Sequence, residues 1–305
     1  MSKKIIVIGS TNMDMVVKTD HIPKPGETVL GGTFFMNPGG KGANQAVAVS
    51  RLGGDVTFVS KIGNDIFGKQ SSKIFDDEGV DIGGIYAEDN SPSGIALITV
   101  DEKGENSIVV APGANAFLDE NDVREAMEKY GDCEIMLLQL EIPIETVAYA
   151  IRYANHNHIQ VILNPAPVNK AILPELGMVD IITPNVHEAA TLAGQDITDM
   201  ESAKEAAKKI KELGVKTVVI TMGEKGALLY DAGEFQHIDA PAVEAVDTTA
   251  AGDVFNGALT VALAEGKSMK NAVSFACRCA AMAVTKMGAQ NSIPHRNEII
   301  LTYFD

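Results

Sequence analysis

Short runs of continuous apolar residues, separated by longer amphipathic segments, constrain this chain more than any other feature of its sequence. The runs are Ile5–Ile8, Thr57–Ser60, Ile135–Leu140, Gln160–Leu163, Ile181–Thr183 and Thr217–Thr221. Between them lie helical patterns such as Asn121–Lys129, Pro143–Asn155 and Met200–Leu213. Strands that are apolar throughout, rather than at alternate positions, are buried on both faces, as in a parallel sheet covered by helices. The pattern predicts a doubly wound, mostly parallel α/β sheet with helices on both faces, in a single domain spanning 1–305. Two stretches break the rhythm, about 13–36 and 93–110, with β-branched or period-two segments and no helix between them. In the second, I-A-L-I-T-V-D and N-S-I-V-V flank E-K-G-E, which reads as a hairpin. These pieces predict a small β-sheet lid apart from the main sheet, or else an extension of its edge.

Composition removes several classes of function. With 25 Lys and Arg against 41 Asp and Glu, the net charge is −16, and no basic patch stands out, so nucleic acid is not an expected partner. No uncharged apolar run is long enough to span a bilayer, and the run after Lys3-Lys4 is too short for a signal peptide. A cytoplasmic protein with no membrane partner is the expectation. Three cysteines, Cys133, Cys277 and Cys279, do not make a disulfide framework and suit a reducing compartment. Cys277 and Cys279 lie two apart, so on a helix they face different ways, and buried thiols are expected rather than a metal site.

Ligands of open parallel sheets bind beyond the carboxyl ends of the strands. The first run is followed by Ser10-Thr11-Asn12-Met13-Asp14, in which an extended chain points Asn12 and Asp14 to one side. The later runs lead into Glu141, into Asn164, into Asn185 with Glu188 three residues on, and into Thr221 with Gly223. Each alone is an ordinary turn or cap residue. Together they offer amides, carboxylates and hydroxyls suited to a hydroxyl-rich ligand and a nucleotide.

Two glycine-containing turns open helices. Pro38-Gly39-Gly40-Lys41-Gly42-Ala43-Asn44 lacks the phosphate-loop spacing, yet its glycines permit close backbone approach beside Lys41 and Asn44. Asp247-Thr248-Thr249-Ala250-Ala251-Gly252-Asp253 runs into a helix over Val254–Ala264. First-turn N–H groups without intrahelical acceptors make an anion site. An acid there is often only a cap or dipole partner. Here small residues would let a phosphoryl group rest on the backbone beside the Asp253 carboxylate, supplying donors for moving charge and an acceptor for an attacking hydroxyl. Its place at a helix start predicts a lowered pKa for Asp253.

At these turns the chain resembles the ribokinase-type (PfkB) carbohydrate kinases. G-G-K-G-A-N-Q-A is similar to the family's first signature and D-T-T-A-A-G-D-V-F-N-G-A to its second, and the likeness runs from S-T-N-M-D to G-A-Q-N-S-I-P. N-P-A-P and P-G-E-T place it on the family's ribose-phosphorylating side. The resemblance implies sugar contacts from Asn12, Asp14, Gly40, Lys41, Asn44 and Glu141. Asp253 would be the base, with backbone groups of Ala251 and Gly252 as the anion hole. Thr221, Gly223, Glu224, Lys225 and Gly226 would line the nucleotide site with Asn185 and Gly252. Asn185 and Glu188 would serve Mg²⁺, and Asp247, Thr249, Ala283, Lys286, Gly288 and Ser292 a monovalent cation, typically K⁺. The lid would also form a homodimer contact. Two positions depart from the pattern: Ala250 replaces a glycine, which a negative φ would tolerate, and Val186 replaces an acidic residue, removing a metal contribution there.

The implied reaction is ATP-dependent phosphorylation of D-ribose at its 5-hydroxyl. The alternatives are a kinase for deoxyribose, a ketohexose or a nucleoside, and a non-catalytic sugar sensor on the same fold. A dinucleotide-dependent oxidoreductase fits the alternation but lacks G-x-G-x-x-G after the first strand, where G-S-T-N-M-D stands.

Overall fold

Strand β1 (Lys4–Ile8) alternates its side chains between two separate cores, and this fixes the architecture. Ile5 and Val7 point into one hydrophobic cluster, Ile6 and Ile8 into the other. A computed structural model describes residues 3–301. Chain order continues with β2 (Asn12–Lys18), β3 (Thr33–Gly39), α1 (Lys41–Arg51), β4 (Asp55–Gly63), α2 (Ile66–Asp77), β5 (Asp81–Glu88), β6 (Gly94–Val100) and β7 (Asn106–Ala111). Then come α3 (Glu120–Tyr130), β8 (Ile135–Leu138), α4 (Ile144–His156), β9 (Gln160–Leu163), β10 (Ile181–Ile182), α5 (Val186–Ala193), α6 (Met200–Glu212) and β11 (Thr217–Thr221). The hairpin β12 (Ala227–Asp231) and β13 (Glu234–Ile238) precedes α7 (Ala251–Ala264), α8 (Met269–Ala283), α9 (Ala289–Ser292) and α10 (Arg296–Leu301).

The main sheet has nine strands in the order β13-β12-β11-β10-β9-β8-β1-β4-β5. The seven from β5 to β11 run parallel, and the hairpin closes one edge antiparallel. Helices α1, α2, α7 and α8 cover one face and α3 to α6 the other, the doubly wound arrangement expected from the apolar runs. Helix starts are set by local chemistry. Asp119 with Asp122 and Asp199 with Ser202 form capping boxes, and Asp65 caps α2 through Gly68 N–H. All three cysteines are buried and unpaired. No helix among the described residues is long and apolar enough to cross a membrane.

The two segments that break the rhythm form a sheet of their own, order β3-β2-β6-β7, and do not extend the main sheet. Its third strand in sequence, β6, lies parallel to β2, while β3 and β7 flank them antiparallel. Strand β3 runs to Gly39, past the sequence-based boundary at 36. Asn115 and Ser93 stitch this sheet to the body. Asn115 accepts from Thr11 N–H (2.8 Å) and donates to Asn12 Oδ1 (2.8 Å), and Ser93 N–H donates to Asp65 Oδ2 (2.8 Å). The sheet's outer face carries Val17 beside Phe34, Met36 beside Met15, and Leu97 beside Val109. Five of these six are exposed, leaving a continuous apolar surface.

Candidate active site

The α7 start is built around an unusual backbone. Ala250, its N-cap, has φ 60°, in the left-handed region. The negative φ expected from the sequence is therefore not found, and a methyl group sits where glycine would be unstrained. Ala250→Gly is expected to stabilise the chain by about 1 kcal/mol, read from urea unfolding midpoints. Ala251 N–H donates to Thr248 C=O (3.3 Å), so the next amide, that of Gly252, is the stronger anion-holding group of the two. Apart from its chain neighbours and its own helix backbone, no atom lies within 4 Å of where a Gly252 side chain would stand, which leaves a cradle open to a phosphoryl group.

Asp253, in the first turn of α7, is buried at 6% exposure. Its Oδ2 accepts from Asn44 Nδ2 (2.9 Å) and its Oδ1 from Gln45 Nε2 (3.0 Å). Burial raises its pKa above the usual carboxylate range, against the opposing pull of Lys41, Asn44 and Gln45. This corrects the lowered value expected from the helix start: desolvation outweighs the first-turn dipole. Glu141 Oε2 accepts from Ser10 Oγ (2.6 Å) and from Lys41 N–H (3.0 Å). Lys41 shares the space with Asp253, Glu141, Glu188 and Asp14; burial works against its charge, and these four carboxylates keep it protonated nonetheless. Gly40 has φ 89°, and a Cβ there would meet Asn12 N at 2.8 Å, so the turn that brings Lys41 beside Asn12 requires glycine.

Asp14 is pushed up to about 6 by burial, then by Glu141 and Asp253, with Lys41 opposing. The folded chain thus binds this proton more tightly than the unfolded one. Asp14's contribution to stability declines as pH rises from the ordinary carboxylate range to about 6, and is flat above it. The value of kcat/KM for a ligand that needs ionised Asp14 is expected to fall below about pH 6, and Asp14→Asn to flatten that limb in initial-rate profiles.

Two clefts meet here. One, of about 920 Å³, lies under the small sheet and is lined by Asp14, Val16, Phe35, Asn37 and Ile98 opposite Asp247–Thr249, Gly288 and Asn291. The other, of about 850 Å³, is lined by Asn185, Thr221, Gly223, Glu224, Lys225, Gly226, Ala251 and Gly252. They share Ala245 and Thr248 on their walls. Of the residues read from the sequence as sugar-facing, only Asp14 lines the first cleft, while Lys41, Asn44 and Glu141 cluster with Asp253; those read as nucleotide-facing all line the second. Sequence reasoning missed the apolar wall of the second cleft, Ala240–Val243 with Phe255, Cys277, Ala280, Ala281 and Val284. It also missed Phe35 and Asn37. A run of small apolar residues after β13 was the available signal for the first group, and alternation along β3 for the second.

Asn185 and Glu188 form the capping box of α5: Asn185 Oδ1 accepts from Glu188 N–H (2.8 Å) and Glu188 Oε2 from Asn185 N–H (2.9 Å). This occupies one oxygen of each and leaves Glu188 one carboxylate oxygen for a cation. Among the described residues no cluster of three His, Cys, Asp or Glu could hold a metal by itself. A single carboxylate beside a phosphate cradle fits Mg²⁺, which binds through one or two carboxylates plus phosphates. For a monovalent cation, Asp247 accepts from Thr249 N–H and Gly288 N–H (2.9 Å each), drawing the two loops together. Ala283 C=O accepts from Lys286 N–H (3.1 Å) and Ser292 Oγ donates to Ala289 C=O (2.8 Å) in the same region. The Lys286 ammonium is turned to Glu298 (2.7 Å), so only the main chain of Lys286 is left to serve a cation in these loops.

A family model described as pfkB family carbohydrate kinase matches residues 2–296. A ribokinase of Haemophilus influenzae is 43% identical over 300 residues, covering 98% of each chain. Among solved structures, ribokinase from Thermotoga maritima superposes with TM-score 0.89 at 40% identity over 98% of both chains. Arabidopsis thaliana ribokinase, complexed with ribose and ATP, superposes with TM-score 0.90 at 33% identity, again over 98% of both.

Proposed function

The chain belongs to the pfkB family of carbohydrate kinases, and from that premise we propose that it transfers the γ-phosphate of ATP to the 5-hydroxyl of D-ribose, giving D-ribose 5-phosphate. One observation carries the assignment: a buried carboxylate, Asp253, adjoins the open Gly252 cradle of one cleft and couples electrostatically to Asp14 in the other. ATP lies in the Thr221–Gly226 cleft, with its base against Phe255 and the apolar wall. The sugar lies under the small sheet, its hydroxyls sorted by Asn12, Asp14, Lys41, Asn44, Glu141 and the Gly40 backbone.

Asp253 orients the reacting hydroxyl and takes its proton late, when the phosphorus–oxygen bond has begun to form. A raised pKa makes it a better acceptor than an ordinary aspartate, with Lys41 opposing the rise. Gly252 N–H, with the Ala251 peptide beside it, holds charge on the moving phosphoryl group. Kinase chemistry of this kind uses a divalent cation. Mg²⁺, held by the ATP phosphates and Glu188 near Asn185, would neutralise charge on the phosphate oxygens. K⁺ in the loops of Asp247, Thr249, Ala283, Lys286, Gly288 and Ser292 would hold the α7 turn in place from behind. The small sheet acts as a lid over the sugar within a single domain, and its outer apolar face pairs two chains into a homodimer in the cytoplasm.

A coupled assay of ADP release over ribose, 2-deoxyribose, arabinose, fructose and nucleosides, with and without K⁺, tests this. The expected result is the highest kcat/KM with ribose and stimulation by K⁺. Failure to phosphorylate ribose would remove the substrate assignment, and a flat response to K⁺ the cation assignment.

A further inference from the structure

A chain of uncharged amides runs beneath the site and has no part in the steps above. Gln45 in α1 and Gln139 just past β8 are fully buried, and Asn164 beyond β9, Thr183 beyond β10 and Asn256 in α7 are at most 6% exposed. Gln139 Nε2 donates to Gln45 Oε1 (2.6 Å). Gln45 Nε2 donates to Asp253 Oδ1 (3.0 Å) and to Asn164 Oδ1 (3.1 Å). Asn164 Nδ2 donates to Thr183 C=O (3.3 Å), Thr183 Oγ1 to Asn256 Oδ1 (2.6 Å), and Asn256 Nδ2 to Gly252 C=O (2.8 Å). One branch of the chain therefore ends on the base, and the other on the Gly252 carbonyl, one peptide beyond the N–H that faces the open cradle.

The direction of this chain is determined. An amide nitrogen has two protons, and Gln45 spends one on each of two acceptor oxygens. It can do so only while its own oxygen faces Gln139. A flipped Gln45 would set an oxygen against the Asp253 carboxylate and an NH₂ against the NH₂ of Gln139. Gln139 therefore fixes Gln45, and Gln45 fixes Asp253 Oδ1, while Asn44 fixes Oδ2 from the same helix. The arrangement has a cost that mere packing would not carry: Gln139 Oε1 is buried without a partner among the described residues, pressed against Gly9.

We propose that Gln45, oriented by Gln139, is a positioning residue that sets the rotation of the Asp253 carboxylate. Neither glutamine lines either cleft. The inference rests on the reading of Asp253 as the base. Lys41 in α1, Glu141 beyond β8, Asp14 in β2 and Glu188 in α5 all act on the Asp253 charge, and neither substitution below alters them.

Gln45→Met keeps length and burial but removes both donors. It is expected to lower kcat with ribose about 10- to 30-fold, with KM for ribose within about threefold. The acid limb of kcat at saturating sugar is expected to move up by about one pH unit, because a donor favouring the ionised carboxylate is gone. Gln139→Met, which leaves Asp253 and its contacts in place, should shift both quantities the same way by a smaller factor, about 3- to 5-fold in kcat. Thermal melts establish that each variant is folded; should Gln45→Met not fold, Gln139→Met decides. Native kcat and an unmoved acid limb in the folded variants, or a change confined to KM, overturns the proposal. Asp253→Asn assayed in parallel separates the two readings. Full turnover there withdraws the base and this inference with it, whereas an inactive Asp253→Asn beside native glutamine variants removes the amide chain alone.

Discussion

Replacing Asp253 by asparagine is expected to lower turnover about 10³-fold or more while the affinity for ribose stays within a few-fold. In the proposed mechanism the carboxylate contacts the hydroxyl that reacts, whereas the other sugar hydroxyls are assigned to Asn12, Asp14, Glu141 and Lys41. Loss of the acceptor thus falls on the transition state and not on ground-state binding. The substitution also has a structural effect. Both Asp253 oxygens accept from amide donors, Asn44 and Gln45, and an asparagine must turn its own NH₂ toward one of them. That clash costs about 1–3 kcal/mol of stability, well short of unfolding a chain of this size. Ribose binding by calorimetry, kcat from the coupled assay and a thermal melt distinguish the two effects. Turnover within tenfold of native in a folded variant would remove the base from Asp253.

The second large effect concerns charge. Lys41 stands among Asp14, Glu141, Glu188 and Asp253, and Lys41→Met would leave four carboxylates with no cation between them. Stripping one partner from a largely desolvated charge cluster costs about 3 kcal/mol of folding stability, and loss of a charged donor from the site is expected to lower kcat/KM on the order of 10²-fold. Protons would partly replace the missing charge. The acid limb assigned to Asp14, whose carboxyl already titrates at about 6, would move to higher pH because its one opposing charge has gone. Recovery of kcat/KM with an unshifted acid limb in Lys41→Met would show that the ammonium is a bystander.

How far the sequence disclosed this site depends on the kind of interaction. The β9 and β11 strands match their apolar runs residue for residue, because full burial on two faces leaves a signature within a few consecutive positions. Gly40, Gly252 and Asp253 were legible because a helix entry with close backbone approach calls for particular residues at neighbouring places. What escaped notice was non-local. Gln139 and Gln45 are 94 residues apart and Gln45 and Asn164 are 119 apart, so no window of sequence holds the pair. The raised pKa of Asp253 was missed for a related reason. Its helix position is local information, but its desolvation is made by α1 and the strand ends packing over it. Ala250 shows the same limit at one dihedral: a family pattern names the residue, and only the folded turn reveals the sign of φ.

The place of β1 in the middle of the main sheet, between β4 and β8, bears on how the chain is born. During synthesis β4 emerges soon enough to zip onto one edge of β1. The other edge must wait for β8, and all four strands of the small sheet leave the ribosome between β1 and β8. Contacts of such long range form slowly, and an open strand edge invites wrong partners meanwhile. A nascent chain that has just completed β8 and Glu141 carries nearly every group assigned to the sugar, and none of those assigned to ATP. Translational pausing after β8 would favour this protein, since the first half could settle before the helix bearing Asp253 arrives to lock across it.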